Sequence, residues 1–112
     1  MQSKAAELRP LTEPVLLILM SLADQPRHGY SLMKDIETLS NGRVRLSTGT
    51  LFGALRRLLE DGWIERFEQE DTSRGKQAYR LTPAGHKQLQ TELNRMKQLT
   101  RASTARLKTR KA

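Results

Sequence analysis

The sequence predicts a mainly α-helical fold with a small β hairpin (α+β), and three features of the 112-residue chain support this prediction. Apolar residues recur at three- and four-residue steps in four segments, as on the buried face of a helix. Two short segments with strand character follow the third of these helices, and a polar loop containing glycine joins them. A helix that runs directly into such a hairpin is typical of a winged helix-turn-helix, here followed by a C-terminal dimerisation helix.

The chain is strongly basic, and its charge is unevenly distributed. Lys and Arg total 20 against 12 Asp and Glu, which gives a net charge of +8, and residues 83–112 alone contribute +7. A basic excess favours partners that carry phosphate groups, whereas a solvated helix face is the alternative explanation for the C-terminal charges. The length suits a single domain with one modest core, which leans on a partner for part of its stability.

Several functional classes are disfavoured by composition. The sequence contains no cysteine, which excludes disulfide bonds and thiolate zinc sites and fits a cytoplasmic protein. The apolar run Val15–Met20 is far shorter than the roughly 20 residues that cross a bilayer, so we expect no membrane partner. The histidines His28 and His86 have no acidic pair or metal-ligand spacing beside them, so we expect neither an enzyme nor a cofactor or metal site.

The first two helices are expected to build most of the core. The first begins at the N-cap residue Thr12 and is apolar almost all round, so that one of its faces is expected to meet a second subunit. The second opens at His28-Gly29-Tyr30. Its apolar side is marked by residues at three- to four-residue steps, Tyr30, Met33 and Ile36 or Glu37, and is widened by Leu32 and Leu39. Alternation of charged and apolar residues then predicts a short strand over Arg43–Leu46.

The third helix carries the residues best suited to contact with DNA. Leu51, Leu55 and Leu58 lie on its apolar stripe, and Gly62 ends it. The opposite face combines short hydroxyl side chains and glycines, which permit close approach, with arginines that can reach phosphate or guanine. A plain surface helix with tolerated glycines is the alternative. We predict that this helix lies in the major groove and binds DNA through Ser47, Thr48, Gly49, Thr50, Phe52, Gly53, Arg56 and Arg57.

The hairpin after this helix is predicted to form the wing. Strands over Trp63–Glu68 and Gln77–Leu81 enclose a polar loop in which Arg74 and Lys76 carry positive charge. We predict that these two residues contact the DNA backbone or the minor groove, with Gly75 permitting the turn. Acidic residues next to the loop weaken its positive field.

The last helix opens at Thr82-Pro83 and has the spacing of a dimerisation helix. Leu89, Leu93 and Met96 step by four and three residues, and Leu107 continues the same seam beyond two polar positions. We therefore predict a homodimer, although a helix that packs on its own domain would show similar spacing. The predicted parts are a flexible N-terminal segment (1–10), a winged helix domain (11–81), a dimerisation helix (82–100) and a frayed basic tail (101–112).

Three groups of residues resemble the PadR family of bacterial transcriptional regulators. They are His28-Gly29-Tyr30, then Gly49-Thr50-Leu51-Phe52 with Gly62-Trp63-Ile64, and finally Tyr79-Arg80-Leu81-Thr82 with Gly85. The resemblance covers about Leu11 to Leu99. It implies a homodimeric repressor that binds a double-stranded DNA operator until a small ligand or another signal releases it. It also implies that Ser47 to Arg57 supply the recognition helix and Arg74 to Lys76 the wing.

Two departures from this family affect the expected contacts. The family usually has Tyr at the position of Phe52, and Phe lacks the hydroxyl that could bond a phosphate. From Thr82 onward the chain has no aromatic residue, so the last helix is not expected to stack on an aromatic effector, whose identity stays open. The sequence thus predicts a sequence-specific DNA-binding regulator. The alternatives are a dimeric winged-helix module that binds another protein and a nucleic-acid binder without sequence preference.

Overall fold

The structure, a computed structural model, describes residues 10–67 and 77–110, which form helices and a small sheet. In chain order the elements are α1 (Glu13–Asp24), β1 (Arg27–His28), α2 (Gly29–Leu39), α3 (Thr48–Glu60), β2 (Ile64–Phe67), β3 (Ala78–Leu81) and α4 (Pro83–Thr109). This order confirms the predicted mainly helical α+β fold and its winged helix-turn-helix topology. Within the described ranges, no helix is long and apolar enough to cross a membrane.

Helix α1 lies at the centre of the core. The N-cap side chain of Thr12 accepts a hydrogen bond from the Val15 N–H (3.4 Å), which satisfies one of the free donors of the first turn. The helix packs against α2, β3 and α4, and it buries one side of its surface. Its buried apolar residues are Leu17, Ile18, Leu19 and Leu22. Leu16 and Met20 are only partly buried, so one chain alone leaves part of α1 open.

A polar cluster fixes the turn between α1 and α2. The buried hydroxyl of Ser21 donates to the Asp35 carboxylate (2.6 Å). The Arg27 guanidinium donates to the Ser21 carbonyl (3.1 Å) and pairs with Asp24 (2.8 Å) and Asp35 (3.5 Å). Because each charged group has an oppositely charged partner, the two helices meet without an uncompensated buried charge.

The connection between α2 and α3 contains no strand, so the predicted strand over Arg43–Leu46 is wrong. The Val44 N–H donates to the Ser40 hydroxyl (2.9 Å) instead of to a neighbouring strand. The two apolar side chains of the segment pack against the core, and its two arginines pair with Glu13 and Glu37. The alternation therefore reflects one partly buried and one ion-paired side of a connecting segment.

The sheet has three antiparallel strands in the order β1-β3-β2. In the β2–β3 hairpin, Ile64 lies opposite Leu81 and Phe67 lies opposite Ala78. Strand β1 adds to the other edge of β3, where Arg27 pairs with Tyr79. The sequence predicted the hairpin but not β1, because a strand of two residues is too short to show a period of two.

The start of α4 is bonded to the start of the hairpin. The Thr82 N–H donates to the Trp63 carbonyl (3.1 Å), and the Thr82 hydroxyl donates to the Gly62 carbonyl (2.6 Å) while accepting from the Gly85 N–H (3.0 Å). A Cβ atom at Gly85 would lie 1.9 Å from the Trp63 carbonyl oxygen, so only glycine permits this approach. The direction in which α4 leaves the domain is therefore fixed at its first turn.

Glu92 ties α4 to the segment that precedes α1. Its buried carboxylate accepts hydrogen bonds from the Leu11 N–H (3.1 Å) and from the Arg95 guanidinium (2.8 and 2.9 Å). The bond from Arg95 holds the pKa of Glu92 below its ordinary value of 4.5, although burial acts in the opposite direction. The same contact raises the pKa of Arg95. Glu92 is thus ionised at neutral pH.

Helix α4 does not end near residue 100, where a frayed tail was expected, but continues to Thr109. Arg, Leu, Lys and Ala favour helix in this stretch, and Arg106 and Lys108 oppose the negative end of the helix dipole. The first half packs on the domain through Leu89, whereas every residue of 96–110 is exposed. About half of α4 therefore has no packing partner within the described chain.

Candidate nucleic-acid interface

Helix α3 is anchored by one face and open on the other. Leu51, Leu55 and Leu58 are at most 2% exposed and hold the helix against the core. The opposite face carries the residues predicted to contact DNA, of which Gly53 is half-buried and the others are exposed. The exposed residues are Ser47, Thr48, Gly49, Thr50, Phe52, Arg56 and Arg57. The predicted burial of one face and exposure of the other are confirmed.

Hydroxyl groups organise the N-terminal end of α3. The Ser47 hydroxyl accepts from the Thr50 N–H (3.2 Å) and donates to the Thr50 hydroxyl oxygen (2.9 Å). The hydrogen of Ser47 is thereby used, whereas the hydroxyl hydrogen of Thr50 can still donate to an incoming acceptor. The N–H groups of Thr48 and Gly49 precede the first intrahelical bond, which Leu51 makes to the Ser47 carbonyl (2.9 Å). This end of α3 therefore presents several donors to an anion.

No contact among the described residues requires glycine at the two glycine positions of α3. Apart from the neighbouring backbone of the helix itself, a Cβ atom built at Gly49 or at Gly53 meets no described atom within 4 Å, and neither residue has a positive φ. Each glycine lowers helix stability by about 1 kcal/mol relative to alanine, with nothing in the described fold to require it. Their absence of side chains instead clears a path along the helix for another surface.

The two arginines of α3 lie at different places on its exposed side. At about 100° per residue, Arg56 falls near the middle of the open face, close to Gly49 and Gly53. Arg57 falls toward the flank that faces α1, and it lines a cleft of about 260 Å³ together with Val15 and Trp63. Arg56 is thus exposed near the middle of the open face, and Arg57 is exposed at its edge.

Phe52 lies on the other flank of α3, toward α2. Its ring tip would be 2.7 Å from a Cβ atom at Gly29, so the ring packs directly on the glycine backbone. Phe52 nevertheless remains 42% exposed. Between the starts of α2 and α3 lies a mainly apolar cleft of about 230 Å³, lined in part by Phe52, Thr48, Tyr30 and Met33.

Tyr30 was expected on the apolar side of α2, but it is 66% exposed beside this cleft. The core positions of α2 are Leu32 and Ile36, and the Lys34 ammonium lies 5.9 Å from the centre of the Tyr30 ring. The helical step predicts a core residue at Tyr30, and local periodicity alone does not distinguish a core position from an exposed one beside the core. Tyr30 therefore lies on the same surface as Thr48, a position that the sequence did not predict.

The described part of the wing contains two arginines, the ion-paired Arg80 and the exposed Arg66. Arg80 on β3 donates to the Glu65 carboxylate (2.6 Å), and its guanidinium carbon lies 4.6 Å from the centre of the Phe67 ring. Arg74 and Lys76, the two predicted wing contacts, lie outside the described residues. In the parts of the chain that are described, no group of three or more His, Cys, Asp or Glu side chains could hold a metal ion.

A helix with an open polar face, a preceding helix joined to it by the segment 40–47 and a following hairpin define a winged helix-turn-helix protein. Residues 18–91 match the Transcriptional regulator PadR-like family. The chain belongs to this family.

Two relatives match about three quarters of this chain. A transcriptional regulator of Mycobacterium tuberculosis is 35% identical over 86 residues, which are 77% of this chain and 78% of that protein. An uncharacterized 37.1 kDa protein in transposon TN4556 of Streptomyces fradiae is 38% identical over 85 residues, 76% of this chain. The chain spans only 23% of the length of that transposon protein.

Two solved structures show the same fold. A PadR family transcription regulator from Clostridium difficile matches with a TM-score of 0.71 at 21% identity, over 86% of this chain and 99% of that chain. A transcriptional regulator from Clostridium thermocellum matches with a TM-score of 0.68 at 25% identity, over 81% of this chain and 89% of that chain.

Proposed function

We propose that this protein is a sequence-specific DNA-binding transcriptional regulator that acts as a homodimer. Helix α3 lies in the major groove, and the loop between β2 and β3 lies on the backbone or in the minor groove. The observation that carries the proposal is the open face of α3, where two glycines without neighbours stand among hydroxyl groups and arginines. A helix held rigidly by buried leucines on its other face can present these groups in a fixed register.

The residues of α3 divide by the part of DNA that they reach. The first-turn N–H groups and the Thr50 hydroxyl suit a phosphate, as does the Ser47 cap that organises them. Gly49 and Gly53 let the helix backbone approach the base edges. Arg56 and Arg57 supply the positive charge of α3, whose other charged residue is the exposed Glu60. The predicted wing contacts Arg74 and Lys76 would add backbone contacts at the edge of the site.

The homodimer follows from the apolar surface that one chain leaves open. Met96 is 39% exposed and Leu99 is 46% exposed on α4, and α1 contributes the partly buried Leu16 and Met20. An isolated helix of about 15 residues is marginally stable in water, so the exposed half of α4 calls for a partner. In a two-fold dimer the two α3 helices would bind half-sites about 34 Å apart on a pseudo-palindromic operator.

Membership of the PadR-like family supports a repressor whose operator binding a small ligand or another signal relieves. A ligand can release DNA only if it binds more tightly to a form of the dimer in which the two α3 helices no longer fit successive major grooves. The role proposed here is regulatory and not catalytic.

Operator binding over a salt series tests the proposal. Fluorescence anisotropy with the native upstream duplex and with a random duplex of equal length should give nanomolar affinity for the first only. The slope of log K against log salt should be about −4 or steeper, since each neutralised phosphate contributes about −0.9. Equal affinity for every duplex would favour a non-specific binder, and no affinity for any duplex would favour a protein-interaction module.

A further inference from the structure

Phe52 differs in chemistry from the rest of the open face of α3. Its neighbours on that face are glycine, hydroxyl-bearing or charged residues, among them the exposed Glu60, whereas Phe52 has no polar side-chain atom and is 42% exposed. The ring cannot donate or accept a strong hydrogen bond, so it cannot bind phosphate as the other residues do. Any contact that it makes with DNA must therefore be apolar.

The ring is held in place before any partner arrives. The tip of the ring rests on Gly29. A Cβ atom added at Gly29 would lie only 2.7 Å from the Cζ atom of Phe52. Thr48 precedes Phe52 by one helical turn, and both line the apolar cleft between α2 and α3. Phe52 and Thr48 thus line one mainly apolar surface beside the glycines of α3.

The major groove offers few groups that fit such a surface. Its base edges present nitrogen and oxygen donors and acceptors, with the C5 methyl group of thymine as the distinctive apolar feature. Phe and the methyl group of Thr are suitable partners for that methyl group. Contact with a deoxyribose would also be apolar, but it would carry no base preference.

We propose that Phe52, with the methyl group of Thr48, reads a thymine methyl group in each half of the operator and is a specificity-determining residue. The inference rests on the proposed function, because it requires α3 to lie in the major groove. It assigns a preference for thymine to the α2-facing flank of α3, whereas Arg56 and Arg57 bind elsewhere.

Replacement of single thymines by deoxyuridine tests this inference, because the change removes only the C5 methyl group. For the wild-type protein, one thymine position per half-site should show about a fourfold loss of affinity, because the complex loses the burial of one methyl group. In the Phe52→Ala variant the same replacement should change affinity by less than about 1.5-fold. A Leu39→Ala variant is the matched control, since Leu39 is also 42% exposed but lies at the far end of α2. It should keep the full fourfold difference.

The outcomes separate the inference from the proposed function. The wild-type protein is first compared on the operator and on a random duplex, and equal affinity there would overturn both. If the operator complex is specific but indifferent to every thymine methyl group, the inference alone is overturned. It is also overturned if the Phe52→Ala variant, shown to be folded by a cooperative thermal melt, retains the full wild-type response to deoxyuridine.

Discussion

The glycines of α3 allow a test in which protein stability and DNA affinity should change in opposite directions. Gly53 lies inside the helix, and a Cβ atom there meets nothing within 4 Å in the free protein. Gly53→Ala should therefore stabilise the fold by about 1 kcal/mol, the difference in helix propensity. For a domain of this size, that change raises the melting temperature by about 4 to 8 °C.

The same methyl group should weaken operator binding if DNA closely approaches α3. Inserting a methyl group into a packed contact costs about 1 to 3 kcal/mol, which corresponds to about a five- to 150-fold increase in Kd. Melting followed by circular dichroism measures the first effect, and anisotropy with a labelled operator measures the second. Because stability rises while affinity falls, unfolding of the variant cannot explain the lost affinity.

A matched control changes helix propensity away from α3. Thr104 is exposed on α4, and Thr104→Ala should raise the melting temperature without changing Kd. Gly49→Ala tests the close approach at a second place, in the first turn of α3. If Gly53→Ala and Gly49→Ala both bind the operator with the wild-type Kd, the glycines do not mark a close approach and the proposed docking of α3 is refuted.

Three further results are expected. Arg56→Ala and Arg57→Ala should each raise Kd for the operator about tenfold and flatten the salt slope in mobility-shift assays, and wild-type binding by both would withdraw this face from the interface. Glu92→Gln should lower the melting temperature at pH 7. The difference between variant and wild type should shrink as the pH falls below about 4.5 and through the lowered pKa of Glu92, because the carboxylate of the unfolded chain takes up its proton first. A difference independent of pH would contradict the assigned ion pair. Met96→Asp should shift sedimentation from dimer to monomer by placing a charge in the α4 seam, whereas Gln98→Asp on the opposite side of α4 should leave the dimer intact.

Local periodicity predicted the parts of the fold whose signal lies within one element. The buried stripe of α3 and its open face were predictable because residues three and four apart share one side of a helix. Ser47 and Thr82 were predictable as N-caps for the same local reason, and each accepts the expected bond, from Thr50 and Gly85. These residues need no information about the rest of the chain.

Features set by distant contacts were not predictable in this way. Strand β1 exists because Arg27 and His28 pair with β3, about 50 residues later in the chain. The arginines in Arg43–Leu46 form ion pairs with α1 and α2, and their spacing imitates the two-residue period of a strand. Tyr30 fits the helical step of a core residue, yet Leu32 and Ile36 fill the space below α2. The DNA contacts themselves stay predictions, since burial and exposure constrain them without testing them.

The junction between the hairpin and α4 has a mechanical consequence. Because Thr82 is bonded to Trp63 and Gly62, and the Gly85 backbone lies against the Trp63 carbonyl, α4 cannot pivot at its base. The helix therefore moves as one rigid unit with the domain that contains α3. In the proposed dimer, a small rotation of one α4 against the other would swing both α3 helices through a larger arc. A signal that rotates the two α4 helices would then change the distance between the two α3 helices, so that they no longer match the two half-sites, while each domain keeps its shape.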